Sequence, residues 1–376
     1  MTRARWSGVA ALLAACSGGH DAPTAPPTTG RLELPATIER GVPVSLRLRD
    51  AAGPRVVWSV ADTSAAQLSD PSDTGAVITG RRSGAVVQVL AVVGRDTLRG
   101  RATVAPPPRL VLGFRPLDTG DLDLYEVALD GGELVRLTPD SPRDDTSPSI
   151  SGGRLVFTSV RDGRPALYEL PSMRGPAVRL RSSSAAESSP ALAGQRVAFV
   201  SAADGSDRVW IADGTGTATR LTATAGEGAA LEGGPAISPD GETVAYWTTD
   251  AGSPALRLTG WDRRTTQLLA PDRNAAFAPT WAPDGRSLVF ASNRDTSSGG
   301  PTSLYRVARG TGSVTRLTHA TQAQSDPLLL PDGRLVYVQR TGSATGVLVW
   351  IDPAQPARSH VVPLPPGLPS TPRYRP

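Results

Sequence analysis

Apolar residues fall along this chain in short runs. Glycine, proline, serine or threonine interrupts each run before a helical face can build. Such a pattern predicts strands joined by tight turns. The clearest unit is Pro279 to Phe290, PTWAPDGRSLVF: an apolar strand, a Pro-Asp-Gly turn and a second apolar strand. Asp-Gly suits that turn because Gly accepts positive φ and Asp hydrogen-bonds its own backbone. The unit recurs at Pro235 to Tyr246 (PAISPDGETVAY) and Pro327 to Tyr337 (PLLLPDGRLVY). Worn copies sit at Pro148 to Phe157 (PSISGGRLVF) and Pro190 to Phe199 (PALAGQRVAF).

The anchoring prolines Pro148, Pro190, Pro235, Pro279, Pro327 and Pro372 are spaced 42, 45, 44, 48 and 45 residues apart. That period fits a four-stranded propeller blade and is too long for a leucine-rich repeat. A second pair of apolar runs follows each anchor hairpin, as in SLYRV and SVTRLT after Ser303. An Arg-Leu-Thr ending recurs at residues 136–138, 220–222 and 316–318. Pro372 lies too near the C-terminus to complete its copy, and the missing strands stand at Arg109 to Phe114 and Asp123 to Ala128. The tail from Pro372 to Pro376 is therefore expected to supply the inner strand of the blade that Arg109 begins. This closes an all-β, six-bladed propeller over residues 107–376 and removes two exposed sheet edges.

Residues 30–106 form a separate unit. VPVSLRL at Val42 to Leu48, VVWSV at Val56 to Val60 and the run from Val86 to Val93 alternate, with Gly and Asp clusters between them. About seven short strands predict a small β-sandwich. The order GVPV at Gly41, VWSVAD at Val57 and GAVITG at Gly75 resembles the bacterial Ig-like domains of group 2. The resemblance implies an immunoglobulin-like sandwich with Trp58 in its core. Pro106-Pro107-Pro108 reads as a stiff hinge.

Composition changes the picture mainly at the N-terminus. Residues 1–15 combine two arginines with a small-residue apolar run too short to span a bilayer, as a signal peptide does. Leu13-Ala14-Ala15-Cys16 then resembles a bacterial lipobox, which implies lipidation at Cys16, the single cysteine of the chain. Ser17 after the cysteine implies the outer membrane rather than inner-membrane retention. Residues 16–29 read as a flexible tether. The formal charge is +4 and all 39 basic residues are arginine, dispersed along the chain, so no nucleic-acid partner is expected.

The SPDG and APDG turns, the Arg-Leu-Thr endings, Asn293-Arg294-Asp295 and Arg161-Asp162-Gly163 resemble the WD-like repeat of the TolB family over residues 109–376. That resemblance implies the six-bladed fold and a partner-binding role in the cell envelope. The domain order differs, since the family carries an α/β domain before its propeller, so its partners are not carried over. The same propeller also gates prolyl-oligopeptidase-type enzymes, but no Gly-x-Ser-x-Gly elbow stands in this sequence.

Other chemistry finds little support. His319 and His360 lie far apart and His20 falls in the tether, so transition-metal spacing is absent. Walker-type loops need a lysine. Asp118 to Asp123 lacks the ligand pattern of a calcium loop and reads as a hairpin turn. No cofactor, metal or catalytic set is expected. Asp144, Asp145, Glu187, Glu232 and Asp326 precede the anchoring prolines, which predicts an acidic channel mouth. Arg154, Arg196, Arg286 and Arg334 follow the inner turns, which predicts a basic opposite face. The expected function is a membrane-anchored envelope scaffold that docks a protein, peptide or glycan on the loop face. The alternative is a glycan hydrolase or lyase working through channel carboxylates.

Overall fold

The computed structural model describes residues 30–50, 55–118, 120–139, 141–214, 216–222, 231–249, 254–264, 266–269, 276–296, 300–319 and 321–376. Cys16 and its tether lie outside them. The chain divides into two compact units, residues 1–106 and 107–376.

Within the first unit, eight strands form two four-stranded sheets. Alternation along Gly75–Gly80 and Val86–Val93 sends every second residue into one shared core, where Ile38, Leu46, Ile78, Val87, Val89 and Val104 are buried. Thr37–Glu39 pairs in parallel with the last strand, Asp96–Ala105. Trp58 differs from its expected central place. It packs at the margin of this core and donates its indole N–H to Ser72 O at 2.8 Å.

The second unit holds six four-stranded antiparallel sheets, here numbered as blades 1 to 6. Their innermost strands are Gly367–Arg375, Asp145–Ser151, Glu187–Ala193, Glu232–Ile237, Ala276–Trp281 and Gln324–Leu329. Each innermost strand contacts the next, and the last contacts the first, so the ring is closed. Blade 1 is built from both ends of this unit: Gly367 pairs with Pro116 and Arg375 with Arg109. The seam is pinned by Glu126, 1% exposed, whose carboxylate accepts from Arg109 Nη1 at 2.6 Å and also from Arg375.

The apolar runs without alternation are explained by the seams. Ser287–Ser292 is buried at every position because its sheet is covered on both faces by neighbouring blades. The hydrophobic clusters follow suit. One joins Leu256 and Leu258 of blade 4 to Leu288, Phe290 and Tyr305 of blade 5, and a corresponding cluster fills each of the other seams.

The repeated motifs have local causes. In the Pro-Asp-Gly turns, Gly241, Gly285 and Gly333 take φ of 78°, 66° and 91°. Asp240, Asp284 and Asp332 accept the amide two residues on at 2.9, 2.9 and 3.0 Å. In the Arg-Leu-Thr endings, leucine enters a seam, as Leu137 and Leu221 do. The threonine hydroxyl accepts a strand amide, Leu124 N to Thr138 at 3.1 Å and Leu304 N to Thr318 at 3.0 Å. Arginine pairs back to the Arg-Asp turn of its own blade, as Arg316 does with Asp295 at 3.4 Å.

Candidate functional site: the channel mouth

One departure from regular pairing repeats in all six blades. The register of each innermost strand slips by a β-bulge at the anchoring proline. The residue before that proline adopts left-handed backbone: Ser147 (φ 51°), Ser189 (52°), Gly234 (56°), Ala278 (48°), Asp326 (51°) and Thr371 (42°). Proline already disfavours the right-handed helical region for the residue before it. A left-handed residue with a Cβ costs energy as well, and such residues persist where the surrounding structure demands them. Here the demand is geometric. The extra residue turns each strand sharply as it passes the axis, and bulges of this kind re-aim side chains.

All six left-handed residues line one cavity of about 330 Å³ on the ring axis. One wall carries Trp247 and Phe277, edge to face with ring centroids 6.0 Å apart. Gly233 and Gly234 make room for the indole: a Cβ on Gly233 would stand 2.5 Å from Trp247. The other wall carries Asp326 and Arg373. Asp326 Oδ2 accepts from Ser325 Oγ at 2.8 Å, and Arg373 Nη1 donates to Pro372 O at 2.9 Å. Burial pushes the Arg373 guanidinium below its ordinary value, while the charge of Asp326 pulls it back up. The mouth thus offers an aromatic shelf opposite a fixed pair of charges.

The five acidic residues expected at the mouth divide. Asp326 lines it. Asp144 is half-buried at the blade 1–2 junction, where it accepts from Arg115 at 2.8 Å and from Leu122 N at 3.0 Å. Asp145, Glu187 and Glu232 are 0%, 3% and 4% exposed. Asp145 meets Arg161 Nη2 at 3.3 and 3.0 Å, and Glu187 pairs with Arg181 at 3.1 Å. Both oxygens of Glu232 are engaged, by Val209 N and by the Thr222 hydroxyl, each at 2.9 Å. Burial pushes the Glu187 carboxyl above its ordinary value, partly countered by Arg181. These three carboxylates order the seams, and Glu232 also reaches the wall of the cavity. Of the four arginines expected on the opposite face, Arg154 pairs with Glu169, Arg196 with Glu242 and Arg334 with Asp332, while Arg286 is exposed. Trp247, Phe277 and Arg373 escaped the sequence reading. The position of Arg373 directly after an anchoring proline was the one available signal.

Six four-stranded sheets closed into a ring define a six-bladed β-propeller. Residues 188–356 match the family model described as TolB beta propeller domain. A stretch of 67 residues, 18% of this chain, is 37% identical to the Tol-Pal system protein TolB of Francisella tularensis, and the match covers 14% of that protein's length. The crystal structure of TolB from Acinetobacter baumannii superposes with a TM-score of 0.61 at 17% identity, over 84% of this chain and 82% of that one. Hydrazine synthase of Kuenenia stuttgartiensis gives 0.59 at 13% identity, over 72% of this chain and 47% of that one. At such identities these superpositions speak for the fold alone. Among the described residues no group of three or more His, Cys, Asp or Glu is placed to hold a metal ion.

Proposed function

We propose that this protein is a lipid-tethered binding protein of the bacterial cell envelope that docks a protein or peptide segment at its channel mouth. The observation that carries the reading is the cavity ringed by the six left-handed residues, with Trp247 and Phe277 facing Asp326 and Arg373. An aromatic shelf supplies contact area at low conformational cost, and one fixed charge of each sign orients a polar segment. The relative from Francisella tularensis is named as a component of the Tol-Pal system, which agrees with an envelope role. Cys16 in its Leu-Ala-Ala-Cys context supports the lipid anchor, and residues 30–106 serve as an immunoglobulin-like spacer.

Two experiments test this. Affinity capture from envelope extracts with the anchored protein, read by mass spectrometry, is expected to recover a partner that Phe277→Ala and Asp326→Asn each lose, without a fall in melting temperature. Equal recovery by both variants would remove the mouth from the account. Separately, Cys16→Ser is expected to move the protein from the membrane to the soluble fraction and abolish incorporation of labelled fatty acid. Retention in the membrane with label present would refute the anchor.

A further inference from the structure

Three departures from the blade pattern converge on the seam between blades 2 and 3. Blade 2 ends Arg179-Leu180-Arg181, so an arginine stands where blades 1, 3 and 5 have threonine. The turn Ser201-Ala202-Ala203-Asp204 of blade 3 has alanine where blades 2 and 5 carry Arg161 and Arg294. Trp210 faces Phe199 across its sheet, at the register position that Tyr168 and Tyr305 hold opposite Phe157 and Phe290. In blade 2, Arg161 lies over Phe157 and Tyr168 and hydrogen-bonds Asp145. In blade 3 its place is open. Arg181 reaches in from the preceding blade to lie 4.9 Å over Phe199 and beside Glu187.

The exchange leaves a groove of about 460 Å³, within the size range of small-molecule sites. Its walls include Arg181, Glu187, Phe199, Ala203, Trp210 and Thr217. Four buried polar atoms of this set find no hydrogen-bond partner within the protein: Arg181 Nε and Nη1, Glu187 Oε2 and Trp210 Nε1. Arg181 Nε stands 3.1 Å from Glu187 Oε1 as an ion pair, yet outside hydrogen-bond geometry. Buried donors and acceptors are rarely left unpaired, so a ligand that reaches them is favoured.

We propose that this groove binds a neutral sugar ring, stacked against Trp210. The unpartnered set holds three donors and one acceptor. A hydroxyl both donates and accepts, and a sugar presents several at once. The Arg181–Glu187 pair cancels its own charge, so neither an anion nor a cation gains from the site as a neutral polyol does. Trp210 is half-buried and supplies an apolar face with a polar edge. The site is separate from the channel mouth, and its test is independent of the docking reading.

The test is saturation-transfer NMR on the full chain with glucose, galactose and N-acetylglucosamine at millimolar concentration, with acetate as the anionic control. At least one sugar is expected to respond and acetate to remain silent. The double variant Arg181→Thr with Ala203→Arg rebuilds the regular blade pattern. It is expected to fold with an undiminished melting temperature and to weaken sugar binding by about tenfold or more. Trp210→Ala, checked for folding by circular dichroism, is expected to lose the response too. No response to any of the three sugars, an acetate response, or an undiminished response in the folded double variant would overturn the proposal.

Discussion

Tyr168 and Tyr305 show how one side chain ties a blade together. Each lies against a phenylalanine on the neighbouring strand and donates its hydroxyl to the aspartate of the Arg-Asp turn, Asp162 and Asp295. Burial, reinforced by those carboxylates, pushes both phenols from 10.0 up to about 12. A raised value means that the folded state favours the neutral phenol. The stability this contributes is whole below about pH 10 and is lost as pH rises through about 12. Spectrophotometric titration is expected to show a late tyrosinate fraction in the native protein that Tyr168→Phe and Tyr305→Phe each reduce. A single transition near the ordinary value would contradict these hydrogen bonds. The carboxylates read least well from sequence sit at the same scale. Asp145 and Glu187 open their innermost strands, and only the bulge two residues on decides which residues face the axis. A bulge resets the alternation, and no local pattern announced it.

At the scale of the element, strands and turns were legible because each copy repeats its own chemistry. Pro-Asp-Gly fixed the inner hairpins, and the Arg-Leu-Thr endings marked the outer strands. Middle strands such as Ser287–Ser292 read as continuous apolar runs because both of their faces meet a seam. Phe290, fully buried in the blade 4–5 seam, is accordingly expected to cost about 3–5 kcal/mol when truncated to alanine, measured by denaturant unfolding. A loss well under 1 kcal/mol, the range of ordinary surface substitutions, would mean that the seam is not close-packed. The aromatic shelf was less legible. Trp247 belongs to a middle strand whose neighbours are buried, and it faces the mouth because Gly233 and Gly234 leave room for it. That relation spans two strands and follows from their register rather than from either one alone.

The whole propeller depends on its two ends meeting. The strand Gly367–Arg375 completes blade 1, supplies Thr371 and Arg373 to the mouth and locks onto Glu126. Closure and site are thus one construction: the residues that seal the ring also furnish one wall of the cavity. The period of the prolines already implied this join, since a strand was missing at one end and in surplus at the other. The chemistry of the mouth was not implied, because it forms only where six distant strands converge. The most direct test places a photo-crosslinking benzoylphenylalanine at Phe277 in the full chain expressed in bacterial cells, with the same residue at the exposed Arg286 beyond the inner turn of blade 5 as control. The account predicts a specific partner adduct from Phe277 that Asp326→Asn weakens, and none from Arg286. Adducts from Arg286 alone would contradict it.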